Sequence, residues 1–260
     1  MVTGGFFRQL RILSLLFLLV LVAGNAWLTK LEVRDWDRPL RVVIYPLNAD
    51  ASTAVSGYID GLDPWVFEPV TEFLAREAQG YGLPLGEPVR QYLAPQVHSL
   101  PPKPPPDRNL MGVVWWSLRL RYWAWRVSEY DGPTAQIRIF VLYHDPQAVT
   151  RLDHSLGLEK GLIGVVSAYA DSRFAARNNV VIAHELLHTL GATDKYDPLD
   201  NQPLYPDGYA EPRRVPLLPQ SVAEIMAGRV PLSETSAVMP DGLGQVVVGE
   251  KTAREVNWIE

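Results

Sequence analysis

The segment "VVIAHELLHTLGATDKYD", residues 180–197, holds His184, Glu185 and His188 inside an otherwise apolar run. The whole chain has five histidines, so two of them four positions apart is a pattern that needs a cause. On a helix, residues i and i+4 differ by about 40° in direction; both imidazoles then project from one face and can reach a single ion at about 2.0–2.1 Å from nitrogen. Glu185 is rotated by roughly 100° from His184, which puts its carboxylate within reach of a water on the metal and not of the metal itself. That spacing fits metal-assisted hydrolysis with Glu185 as the catalytic general base. The plainer alternative is a pair of core histidines bonded to backbone, with a glutamate at the surface.

A helix must carry these residues, and its ends are readable. Asn178 or Asn179 suits the N-cap, Val180–Leu190 has helical length and composition, and Gly191 supplies the left-handed residue that stops a helix. Leu186, Leu187 and Leu190 would face the core. Gly191 lies three residues after His188 and Asp194 three after that, so a chain turning back at the glycine can bring Asp194 to the metal as a third ligand. The alternative for Asp194 is a turn-stabilising role after the helix.

Read to its end, "HELLHTLGATD" resembles the metzincin family of zinc endopeptidases, whose extended motif is HExxHxxGxxH. Asp194 stands where most metzincins have histidine. An aspartate there is similar to the snapalysin-like branch, as is "DKY", residues 194–196. Zinc accepts carboxylate oxygen at about 2.0–2.2 Å, so three protein ligands and an open fourth position are kept. "AEIMAGRV", residues 223–230, resembles the methionine turn of the family, in which Met226 would be an apolar floor beneath the histidines. The tyrosine ligand that follows this methionine in several metzincins has no counterpart, since Ala227, Gly228 and Arg229 come next. Tyr196, Tyr205 and Tyr209 are the candidates to stabilise an oxyanion. The resemblance implies an α+β fold with a mixed twisted sheet, a backing helix and an active-site helix, a zinc cofactor, and a protein or peptide substrate. Among hydrolases the rival is an aspzincin-like enzyme, whose aspartate ligand lies on a more distant helix. From another class, the rival is a membrane-anchored binding or assembly factor with a structural or vestigial zinc site. Glu185 favours the enzyme, because a structural site needs no general base and usually closes four protein ligands.

The elements around the motif follow from local patterns. Arg41–Leu47 reads as a strand, and Asp63–Gly82 as a helix started by Pro64, with a break at Pro69 and a stop at Gly80 and Gly82. Pro101–Pro106 is too proline-dense for either element and reads as an exposed connection. Met111–Val127 and Gln136–Asp145, rich in aromatic and branched residues, read as strands, with Trp115, Trp116, Trp123 and Trp125 packing on a sheet. Lys160–Asp171 reads as a short edge strand able to pair with an extended substrate. Asp197–Gln220, a long proline-rich connection, would form one wall of a substrate cleft. His98, His144 and His154 lack ligand spacing and read as surface or loop histidines.

Composition bounds the rest. A chain of 260 residues with 47% hydrophobic residues can bury a substantial core. Its net charge of −5 offers no basic footprint for nucleic acid. Ile12–Leu28 is an uncharged apolar run preceded by Arg8 and Arg11 and followed by Lys30, Glu32, Asp35 and Asp37. It predicts a single-pass transmembrane helix with the catalytic domain outside the cytoplasm, dividing the chain into a membrane segment, 1–30, and a metallopeptidase domain, 31–260. "GNA", residues 24–26, offers the alternative of a cleaved signal and a secreted or periplasmic protein. The chain has no cysteine, which excludes disulfides and a lipid-modified N-terminal cysteine.

Overall fold

The computed structural model describes residues 9, 11–14, 16, 17, 20, 24, 32–106, 109–159 and 161–260. The chain divides into two compact units, Met1–Asp35 and Trp36–Glu260. Most of the apolar run Ile12–Leu28, including most of the "GNA" site, lies outside the described residues. Among those described, no helix is long and apolar enough to cross a membrane.

The second unit is an α+β domain built on a mixed five-stranded sheet. Its strands are Leu40–Asn48 (β1), Val89–Leu93 (β2), Ile137–His144 (β3), Leu156–Leu158 (β4) and Ile163–Tyr169 (β5), in the order β2-β1-β3-β5-β4. All neighbours are parallel except β4, which runs antiparallel to β5. The central strands β1 and β3 are buried along nearly their whole length, as a parallel strand covered on both faces must be, and their sequences are accordingly almost continuous apolar runs. The helices are Thr53–Asp60 (α1), Glu68–Gly80 (α2), Leu110–Val127 (α3), Ala175–Thr189 (α4) and Glu250–Glu255 (α5). A 3-10 turn, Pro64–Phe67, leads into α2, so Pro64 and Pro69 start two successive helical segments. Pro101–Pro106 belongs to no regular element, as its composition requires.

Two sequence expectations are corrected. Met111–Val127 is a helix and not a strand. Asn109 caps it, its side-chain oxygen accepting from Gly112 N at 2.7 Å. Trp116, Leu120, Trp123, Ala124 and Val127 recur at helical spacing and pack against Tyr45, Leu47 and Phe140 on one face of the sheet. The Trp123 and Phe140 rings lie 4.6 Å apart. Tryptophan and valine are common in strands, but here a 3.6-residue period outweighs their propensity. The second correction concerns the edge. Lys160–Asp171 holds β5, which is one strand in from the edge; β4 is the edge strand. Where β4 has ended, β5 is covered by side chains: Ser167 N donates to Ser155 Oγ at 3.0 Å and Tyr169 N to Asn178 Oδ1 at 3.2 Å.

The helical reading of α3 has a direct test in solution. Trp123 and Trp125 would share a face in a strand, but in the helix Trp123 is 9% exposed and Trp125 69% exposed. Trp123→Ala is expected to cost about 3–5 kcal/mol of unfolding free energy, and Trp125→Ala less than about 0.5 kcal/mol, by urea denaturation.

Candidate metal centre

The site begins at the start of α4. Asp171 caps the 3-10 turn Ser172–Phe174, accepting from Arg173 N at 2.9 Å, and the turn runs straight into α4 at Ala175. Asn178 and Asn179 are therefore inside the helix, not at its cap. Asn178 instead exchanges two hydrogen bonds with the Tyr169 backbone, and Asn179 donates to Val66 O at 2.8 Å. These bonds fix the helix against β5 and the 3-10 turn ahead of α2.

The other end forms as the sequence predicts. Gly191 takes φ +103°, a conformation open to glycine, and the chain closes with Gly191 N on His188 O and Ala192 N on Leu187 O, both at 3.1 Å. That closure sets the Ala192 carbonyl over the helix end, where it accepts from His188 Nδ1 at 2.8 Å. His184 Nδ1 donates to Ile225 O at 2.9 Å, a carbonyl of the predicted methionine turn. Met226 beside it is fully buried.

With both Nδ1 atoms committed as donors, each neutral imidazole presents a lone pair at Nε2. Both Nε2 atoms face one oxygen: Asp194 Oδ1 lies 3.2 Å from that of His184 and 3.0 Å from that of His188. The three donor atoms all lie within 4.8 Å of one another. Three lone-pair donors converging on one point repel each other unless a cation or added protons stand between them. Two imidazole nitrogens and a carboxylate oxygen make a donor set suited to zinc.

The loop carrying Asp194 is held from two sides. Lys195 N donates to Met226 O at 3.0 Å, tying the loop to the turn at Met226. The buried Lys195 Nζ reaches Thr193 O and Glu255 Oε2 at 2.9 and 2.8 Å, and Thr193 N donates to the same carboxylate, so α5 clamps the loop. The turn at Met226 has its own anchor in Glu224, which follows Ala223 in the short strand Ala223–Glu224 (β6). Its fully buried carboxylate accepts from Met226 N, Ala227 N, Gly249 N and Thr252 Oγ1 at 2.6–3.1 Å. Glu224 and Lys195 lie inside the quoted "AEIMAGRV" and "DKY" segments, but their anchoring roles, and Glu255 altogether, escape a reading by motif. An acidic residue just before "IMAG" was the one available sign.

Glu185 sits on the sheet side of α4. Gly157 and Gly164 face each other across the β4–β5 ladder, and a Cβ on Gly157 would overlap His188 Cβ and lie 2.6 Å from the Glu185 carbonyl oxygen. The two glycines let the His188 turn of α4 lie against the strands. Glu185 Oε2 is buried, with no hydrogen-bond partner among the described residues. Burial pushes the Glu185 carboxyl above its ordinary pKa, against the pull of His184 and His188. For Asp194 in the metal-free site, burial acts upward, but the hydrogen bonds and charges of both histidines, each then carrying a proton on Nε2 as well, prevail and hold it well below the usual carboxylate range. Burial would lower His184, but its bond to Asp194 and the Glu185 charge leave it raised.

A cleft of about 460 Å³ opens beside this group, bordered by His184, Glu185, Tyr196, Tyr169, Arg151 and Arg229. Tyr196 alone of the three candidate tyrosines borders it. Its ring centre lies 6.5 Å from that of His184, and burial with the nearby Asp194 and Glu185 charges pushes its hydroxyl up to about 12. Tyr205 is exposed and stacks edge-on with Tyr209. Of the long connection Asp197–Gln220, Asn201 reaches the cleft. His154 lies at the cleft border, His144 pairs with Asp50 at 2.8 Å, and His98 is exposed. Arg151 and Arg229 belong to the cleft without any sequence signal.

No protein-family model matches the chain, and no curated protein matches it. The residues of the site therefore carry the functional argument by themselves.

The close approach of β4 to α4 yields a prediction. Gly157→Ala is expected to destabilise the domain by about 1–3 kcal/mol through overpacking, and to weaken zinc binding because it displaces the His188 turn. Zinc titration beside a denaturation curve checks both. Thr235→Ala, on an exposed hairpin, should alter neither.

Proposed function

We propose that the domain is a zinc-dependent endopeptidase of metzincin type, tethered to a membrane and working outside the cytoplasm. The observation that carries this reading is the pair of Nδ1–H···O=C bonds that turn His184 Nε2 and His188 Nε2 toward the Asp194 carboxylate. The neighbouring Glu185 Oε2, without a hydrogen-bond partner among the described residues, favours catalysis over a structural site. Zinc, when bound by His184, His188 and Asp194, supplies Lewis acidity toward a peptide carbonyl and lowers the pKa of a water.

The remaining work falls to the chain's own side chains. Glu185 Oε2 takes the proton from the attacking water and delivers it to the leaving amine, a role that suits a carboxylate whose pKa is raised by burial. Tyr196, protonated at neutral pH, would donate to a developing oxyanion. For the substrate backbone, β4 replaces β5 as the expected partner. Ser167 N points toward the β4 side of β5, and the same alternation directs the Gly157 N–H and C=O to the open edge. An extended peptide pairing there would run beside His154 and Ser155 at the cleft border. Tethering rests on Arg8, Arg11 and the apolar run Ile12–Leu28.

Three measurements test this reading. The purified protein is expected to bind one zinc and to lose peptide hydrolysis on chelation; full activity in zinc-free protein would refute it. Glu185→Gln should keep zinc and fold while turnover falls by at least roughly 10²- to 10⁴-fold. A binding factor would instead function normally with glutamine. Asp194→Asn should damage zinc affinity, and Asp194→His should restore part of what Asp194→Ala loses, because imidazole nitrogen serves zinc as well as carboxylate does. A turn-forming Asp194 would give the reverse order, with asparagine harmless.

A further inference from the structure

The α3 helix is apolar on two opposite faces. Its inner face is in the core through Leu120, Trp123 and Ala124. On the outer face Met111, Trp115, Leu118, Tyr122 and Trp125 follow one another at alternating spacings of four and three, which on a helix makes a single stripe. Met111 is 79% exposed and Trp115 63%. An exposed apolar stripe on an 18-residue helix marks an interaction surface.

Charge indicates what covers it. Between Leu110 and Val127 lie Arg119, Arg121 and Arg126 and no acidic residue, in a chain of net charge −5. Arg119 and Arg126 are exposed along one flank of the stripe, while Arg121 is turned toward Gly161. The four-three spacing would also admit a second copy of the helix. Such a seam relies on opposite charges at its borders, and two copies of α3 would set arginine beside arginine without a carboxylate on either. An anionic lipid surface meets both requirements. Phosphate headgroups take the arginines, and the boundary with the acyl chains takes methionine, leucine and the amphipathic rings of tryptophan and tyrosine. Proximity is also provided for. If Ile12–Leu28 is an anchor, eight positions separate Leu28 from Trp36, at most about 28 Å of extended chain.

We propose that α3 is an interfacial helix, lying on an anionic bilayer with the Met111–Trp125 stripe in the boundary between headgroups and acyl chains. The inference is independent of the peptidase chemistry and draws on the anchor reading for proximity alone.

The absence of cysteine makes single-site labelling clean. Full-length protein carrying L118C, or E72C on α2 as a control, is labelled with a polarity-sensitive fluorophore and combined with phosphatidylcholine vesicles with or without phosphatidylglycerol. Glu72 is exposed on a helix that packs beside α4, away from the face that α3 covers. At position 118 the emission is expected to shift to the blue and rise several-fold with phosphatidylglycerol, to be quenched by nitroxide-labelled lipid, and to revert in R119E/R126E. At position 72 it should stay water-like. A label at 118 no more shielded than at 72, or shielded equally without phosphatidylglycerol, overturns the proposal. So do disulfide-linked L118C dimers formed without lipid, which would identify a second copy as the occupant. Carbonate extraction reports separately on the anchor. A released protein whose label still enters anionic vesicles refutes the anchor and upholds this inference, and a retained protein with a water-exposed label does the opposite.

Discussion

Two backbone carbonyl oxygens, those of Ile225 and Ala192, decide what His184 and His188 can do. An imidazole whose Nδ1–H is committed to a carbonyl has a fixed tautomer and ring plane, and its remaining nitrogen is a directed lone pair. Ala192 O is placed by the closure of α4 at Gly191, and Ile225 O by the turn that the Glu224 carboxylate braces through two backbone N–H groups. The donor set is thus pre-oriented by the backbone, with Lys195 N on Met226 O joining the Asp194 loop to the same turn.

The sheet supplies the other constraint. A helix lying against the β4–β5 ladder needs space where the His188 turn approaches most closely, and Gly157 and Gly164 provide it. This puts Glu185 in a buried position beside an open cleft, where burial raises the pKa of its carboxyl. Among the described residues the buried Oε2 has no hydrogen-bond partner, an exception more common at functional sites than in a core.

The site was more legible than the fold around it. His184, Glu185, His188 and Asp194 sit in eleven consecutive positions, where helix geometry and one glycine turn fix their relation, and the structure brings the three donor atoms together. Met226 was accessible through its local pattern and is buried next to the carbonyl that orients His184. Residues that act across long separations left no local trace: Glu255 on the Asp194 loop, Thr252 on Glu224, and Arg229 and Arg151 at the cleft. The misreading of Met111–Val127 has a clear physical origin. With apolar residues on both faces, the helix obscures its own period, and bulky aromatic residues then favour a strand reading. The same double-sided pattern that defeats the periodicity argument leaves the outer stripe exposed. For β5 the strand itself was readable, but its place in the sheet depends on the three-residue β4, which is too short to announce itself.

In the proposed zinc site, His184 and His188 each donate from Nδ1 and offer Nε2 to one shared cation. Long-range ¹H–¹⁵N NMR of the imidazoles in zinc-loaded protein tests this most directly. Both rings should show a protonated Nδ1 and an Nε2 shifted by metal coordination, with that shift lost on chelation and weakened in Asp194→Asn. A protonated Nε2 on either ring in the presence of stoichiometric zinc, or an unchanged spectrum on adding it, would contradict the account.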